Sequence, residues 1–112
     1  MRNEFLNKID EFLVQFGFVK ENDSYIKQFQ SRTNQQIVIN GQQMGSPIIN
    51  NKVNINLLGE GAIINEDESE VPFELIEFIV EQNNQIVMET NMTFYYNEIE
   101  TFKNFFNQIF QS

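Results

Sequence analysis

Four carboxylates fall within five positions, Glu66-Asp67-Glu68-Ser69-Glu70, and three more follow at Glu74, Glu77 and Glu81. Clustered carboxylates have three chemical uses. They hold hard cations, they act in pairs as general acid and base, or they present negative charge to a basic surface. The first use wants alternating ligands around a turn glycine, as in an EF-hand loop. Residues 65–70 have neither, so no metal and no other cofactor is expected. The second use wants a carboxyl held out of water. Glu77 and Glu81 share one face of the strand assigned below and are the pair to inspect, although a place near a sheet edge would leave both in solvent. The third use needs only exposure, and a run of like charges belongs in solvent.

Other reactive groups are missing. The chain has no Cys and no His. That excludes a thiolate nucleophile, a cysteine zinc site, an imidazole base and a Ser-His-Asp triad. Ser24, Ser31, Ser46, Ser69 and Ser112 have no imidazole to activate them. Tyr95-Tyr96 adjoins a hairpin and a helix start and reads as packing. Gly59-Glu60-Gly61 sets a carboxylate where a phosphate would sit and has no Lys after it, so it is no phosphate loop. The sequence therefore predicts a protein that is not an enzyme.

Charge is unevenly placed. The 112 residues carry a formal net charge of −9. Residues 1–59 are close to neutral, whereas residues 60–112 set eleven acids against the single Lys103. Lys20, Lys27, Arg32 and Lys52 are too few against that field for direct nucleic-acid binding. Net negative charge also argues against an anionic membrane, and no stretch approaches a membrane span. The N-terminal residues are interrupted by charge and have no apolar leader segment, so a cytoplasmic protein is expected.

The elements that must position these groups can be read from periodicity. Phe5, Leu6, Ile9, Phe12, Leu13 and Phe16 form one apolar stripe at helical spacing, with Asn3 as its expected cap. Gly17 suits the left-handed position that ends a helix, and Phe18 closes it. Ile99, Phe102, Phe105, Phe106, Ile109 and Phe110 make a second stripe, and Asn97 with Glu100 resembles a capping box. Phe stripes of this kind are core far more often than cofactor sites, and each needs a surface to cover.

Between the helices the period is that of strands. Tyr25, Lys27 and Phe29 alternate with Ile26 and Gln28, and Val53, Ile55 and Leu57 alternate with Asn54 and Asn56. Ile37-Val38-Ile39 leads into Asn40-Gly41, a two-residue hairpin signal. Gly59 and Gly61 suggest a bend or bulge. Val71–Gln82 and Gln85–Tyr95 read as two long strands joined by Asn83-Asn84 in a type I′ turn. Ile79 then faces Met88, Leu75 faces Met92 and Phe73 faces Phe94. A helix starting at Ser69, with Pro72 near its first turn, is the competing assignment, but Ile, Val and Phe in Phe73–Val80 favour strand. The prediction is one α+β domain over residues 1–112: N-terminal helix, antiparallel meander of about five strands, C-terminal helix, helices packed on the sheet.

Phe73–Gln82 is apolar on both faces, with Phe73, Leu75 and Ile79 on one and Ile76, Phe78 and Val80 on the other. Either the helices cover different faces or one apolar face stays open. An open one would be an interface, and Ile76, Phe78 and Val80 are its candidate residues. Two functions follow. The first is a small acidic non-enzymatic inhibitor or binding protein. Its acidic C-terminal half, through Glu66, Asp67, Glu68, Glu70, Glu74, Glu77 and Glu81, docks on a basic protein surface. Basic surfaces of that extent belong mostly to nucleic-acid-handling enzymes. In size, charge and lack of catalytic motifs the chain resembles their small acidic inhibitors, phage counter-defence proteins of the anti-CRISPR kind and immunity proteins of nuclease toxins. No motif is shared, so no residue role transfers. The second is a dimerising structural or chaperone-like module that works through the apolar sheet face.

Overall fold

The computed structural model describes residues 1–32, 38–43, 45 and 48–110. Helix α1 (Arg2–Gln15) buries Phe5, Ile9 and Leu13, the inner line of the predicted stripe. It begins earlier than expected. Met1 holds the capping position with no side-chain bond, and Asn3 lies inside the first turn. Its end follows the sequence signal. Gly17 has φ 89°, and the N–H of Phe18 donates to the Leu13 carbonyl at 3.1 Å. This closure folds the Phe18 ring back into the core.

Among the described residues seven strands follow: β1 (Val19–Glu21), β2 (Ser24–Arg32), β3 (Val38–Ile39), β4 (Gln42–Gln43), β5 (Ile48–Ile64), β6 (Glu70–Gln82) and β7 (Gln85–Tyr95). Five of them form one antiparallel sheet in the order β1-β2-β5-β6-β7. β3 and β4 make a separate small hairpin around Asn40-Gly41, with φ values of 53° and 79°. Ile37, expected at the start of that hairpin, lies outside the described residues. Asn83 and Asn84 both take positive φ, as a type I′ turn between β6 and β7 requires. Residues 70–82 are strand, so the helix alternative from Ser69 does not hold.

Two bulges decide which side chains face which way. One lies between Leu57 and Gly59, where Leu58 is extra and Gly59 takes φ 130°. It answers the bend expected at Gly59. The second was not expected. Glu81 pairs with Ile86, but Val80 pairs with Met88, so β7 carries one residue more than β6 at that point. Beyond it the predicted partners all move by one. Ile79 faces Glu89, Leu75 faces Thr93 and Phe73 faces Tyr95. A slip of one residue moves a strand's side chains to the other face. It places Met88, Met92 and Phe94 on the same side as Val80, Ile76 and Glu74.

That side is covered by both helices. Helix α2 (Ile99–Phe110) sets Phe102 and Phe106 beside Phe5, Ile9 and Leu13, all over Tyr25, Val53, Ile55, Ile76, Phe78 and Phe94. Phe12, Phe16, Phe18, Phe78, Phe94, Phe102, Phe105 and Phe106 stack in tilted and edge-on contacts with centroids 4.9–6.5 Å apart. These are the favoured geometries for ring quadrupoles. Glu98, not Asn97, precedes α2, and its carboxylate accepts from the Tyr95 N–H at 2.8 Å.

The sheet is much longer than the helices. Seventeen residues of strand span roughly 56 Å, while a fourteen-residue helix spans roughly 21 Å. The molecule measures 70 × 27 × 22 Å, and its radius of gyration is 18.3 Å, where a compact chain of this length would have about 13 Å. The core occupies the middle of the sheet. From Ala62 to Pro72 the chain is a bare two-stranded hairpin, past the last β7 pair at Phe73 and Tyr95. Pro72 falls in that section, where an edge tolerates its missing N–H.

Candidate functional site

The acidic segment is the turn at the end of this bare hairpin. Its backbone is closed by bonds from the Asn65 N–H to the Ser69 carbonyl at 2.9 Å and from the Glu68 N–H to the Asn65 carbonyl at 3.0 Å. Glu68 takes φ 65° to complete the turn. Asp67 pins it. Its Oδ1 accepts from the Ser69 hydroxyl at 2.5 Å and from the Ser69 N–H at 3.0 Å. Those two bonds, the hydroxyl first, hold the Asp67 carboxyl below the usual carboxylate range. Asp67 is thus turned toward the chain, whereas Glu66, Glu68 and Glu70 are exposed and engaged in no ion pair among the described residues. Exposed apolar side chains precede the turn, with Ile63 43% and Ile64 68% accessible.

The other three predicted acids are not part of this group. Glu74 is fully buried. Alternation puts it on the helix-covered face, where Arg2 Nε donates to it at 3.0 Å and Nη2 at 3.4 Å. The Tyr96 hydroxyl lies 3.4 Å from the same carboxylate and also bonds Glu60. Glu74 therefore serves the interior and is withdrawn from the surface patch. Glu77 points to the open face, half-buried, and accepts from Asn56 Nδ2 at 2.8 Å. Glu81 lies opposite Lys52, at the far end of β6. Eleven residue steps along the strand separate it from Glu70, roughly 36 Å. Glu77 and Glu81 share a face as expected, but each is half-buried on an open sheet surface. The Glu81 end borders a polar groove of about 440 Å³ with Gln28, Gln30, Asn50 and Lys52.

The apolar residues also need correction. Ile76 and Phe78 are 0% exposed beneath the helices, and Val80 packs against the same core. None of the three presents an interface. The open face carries Phe73, Leu75 and Ile79, all half-buried, interleaved with Asn54, Asn56 and Glu77. Both helices lie on one side, so of the two alternatives, a helix on each face or one face left open, the second is the one found, with Phe73, Leu75 and Ile79 on the open face.

Sequence reasoning did not find the Arg2–Glu74 pair, although its signal was present. The alternation that set Ile76, Phe78 and Val80 together set Glu74 with them, and a buried carboxylate needs a cation. Among the described residues no group of three or more carboxylates is placed to hold a metal ion. No described helix is long and apolar enough to cross a membrane. No family model, curated protein or solved structure matches the chain.

Proposed function

We propose that the chain is a small non-enzymatic binding protein that docks the tip of its β5–β6 hairpin on a basic surface of a partner protein. A nucleic-acid-handling enzyme is the class of partner whose surface suits it. The observation that supports this reading is the projection of Glu66, Glu68 and Glu70 at the end of a bare hairpin, clear of both helices. Charge steers the encounter and sets its salt dependence. The exposed Ile63 and Ile64 behind the charges supply apolar area, which holds a complex once formed. Tip and flanks together fit a cleft with basic walls better than they fit a flat surface. Glu74 has no part in this contact, and Asp67 contributes by shaping the turn.

The test is affinity capture from the native host, or from its infected cell, at two salt concentrations. The wild-type chain should retain a basic partner at low salt and less of it at high salt. A variant with Glu66→Lys, Glu68→Lys and Glu70→Lys should lose that partner. Equal recovery by wild type and variant would overturn the electrostatic reading.

A further inference from the structure

The sheet has two edges, and they are not alike. At one, β1 is only three residues long. At the other, β7 runs for eleven residues, pairs with β6, and among the described residues has no strand on its outer side. Along that side alternate N–H and C=O groups point away from the sheet without a strand partner. Proteins usually blunt such an edge with Pro, Lys, a short strand or a covering segment. β7 has no Pro, Lys or Arg. Its one irregularity lies near its start, where Val80–Glu81 meets Ile86–Met88. Gln85, Ile86, Val87, Glu89, Asn91 and Thr93 are exposed along it. Glu89 is its only charged residue, so on a chain of −9 this edge is nearly neutral. A second copy, equally acidic, meets less repulsion here than along the β5–β6 tip.

We propose that β7 pairs antiparallel with β7 of a second copy about a two-fold axis through Thr90, joining the two five-stranded sheets into one. Two conditions select this register. A two-fold axis normal to the sheet keeps the helix-covered faces on one side only if inward residues meet inward residues. Among the registers that satisfy this beyond the bulge, only the one centred on Thr90 overlaps all eleven residues of each strand, and it sets inward opposite inward over Met88–Met92. Its side-chain pairs are compatible. Thr90 meets Thr90 of the second copy, a pairing that stabilises sheets. Half-buried Met88 meets Met92 of the second copy on the helix side, and the reverse contact follows by symmetry. On the open face Glu89 meets Asn91 of the second copy, twice over, an acceptor opposite an amide donor. Because the strands are antiparallel, the two acidic hairpin tips point in opposite directions and stay far apart.

Sedimentation of the full chain across the micromolar range tests this. The wild type should show a monomer–dimer equilibrium that tightens as salt rises, because salt screens the repulsion of two like-charged copies. That sense is opposite to the salt response of tip docking, so the two proposals fail separately. Residues 89 and 91 are exposed, so substitutions there leave the fold intact, and circular dichroism confirms it. Asn91→Lys alone sets a cation opposite Glu89 twice and should tighten the dimer about tenfold. Adding Glu89→Lys sets like charges opposite each other and should loosen it by about tenfold or more relative to wild type. A wild type that stays monomeric at all concentrations overturns the proposal. So does a dimer indifferent to both variants, or one that Asn91→Lys weakens, since Asn91 would then face something other than Glu89.

Discussion

Replacing Arg2 by Met isolates the electrostatics of the buried Glu74. The substitution keeps the length and apolar stem of the side chain and removes both donors to the carboxylate, at 3.0 and 3.4 Å. Glu74, at 0% exposure, is left with the Tyr96 hydroxyl at 3.4 Å. Removing one partner of a fully buried ion pair costs about 3–5 kcal/mol. Arg2 is 43% exposed in its side chain, so solvent already screens the pair, and water can follow the carboxylate outward once the guanidinium is gone. That reduces the expected loss to about 2 kcal/mol. A second effect opposes it. Arg2 is the first residue of α1, where a cation is unfavourable beside the positive end of the helix dipole by about 0.3–1 kcal/mol. The net expectation is a loss of about 1–2 kcal/mol. In urea this moves the midpoint down by about 0.5–1 M, with the slope unchanged. Glu74→Leu supplies the contrast. It fills the same space beside Ile76 and Phe94 with apolar atoms and frees Arg2 toward Glu60 and solvent, so it should be neutral or stabilising. An Arg2→Met variant within about 0.3 kcal/mol of wild type, or a Glu74→Leu variant that costs more than Arg2→Met, would refute the reasoning.

Two further outcomes are expected from the phenols and from the tip. Burial first, and the Asp10 bond at 2.9 Å second, push the Tyr25 phenol above its ordinary range. Burial first, and Glu60 second, do the same to Tyr96. A raised folded value means stability that is complete below the unfolded value of about 10 and is lost as pH rises beyond it. Urea midpoints should therefore hold steady to about pH 10 and fall above it, and Tyr25→Phe should flatten that fall. Gly61 lies directly opposite Phe73, whose ring covers it, and a Cβ there would meet the ring at 2.7 Å. Gly61→Ala should lower thermal stability by about 1 kcal/mol, and adding Phe73→Leu should restore much of it. A Gly61→Ala variant with unchanged melting would mean that the ring moves aside freely.

The features legible in the sequence were the local ones. The stripes of α1 and α2, the glycine that ends α1, and the Asn40-Gly41 and Asn83-Asn84 turns each depend on residues within a few positions. The starts of the helices were displaced by a residue or two, since Met1 and Glu98 took capping places assigned to Asn3 and Asn97. The failures have a common origin. Residues 73–80 are apolar on both faces, so either register with β7 pairs apolar side chains acceptably. The choice between them is made by two helices remote in sequence, which bury one face. The bulge beside Val80 follows from that choice. From sequence Glu74 reads as a surface acid, because its cation comes from a residue 72 positions away. At the candidate site, the exposed Glu66, Glu68 and Glu70 were visible from charge repulsion alone, while the inward role of Asp67 required the turn geometry.

The length of the sheet has a kinetic consequence. Three exposed carboxylates sit at one end of a molecule 70 Å long, and Lys52 lies toward the other end of the same hairpin. Such a molecule is an electrical lever. Near a cationic surface the torque on the tip acts over many ångströms of arm. For the basic partner proposed above, approach tip-first is then selected during diffusion, before any contact forms. In the proposed docking, the shape of the fold itself shortens the orientational search that slows most protein encounters.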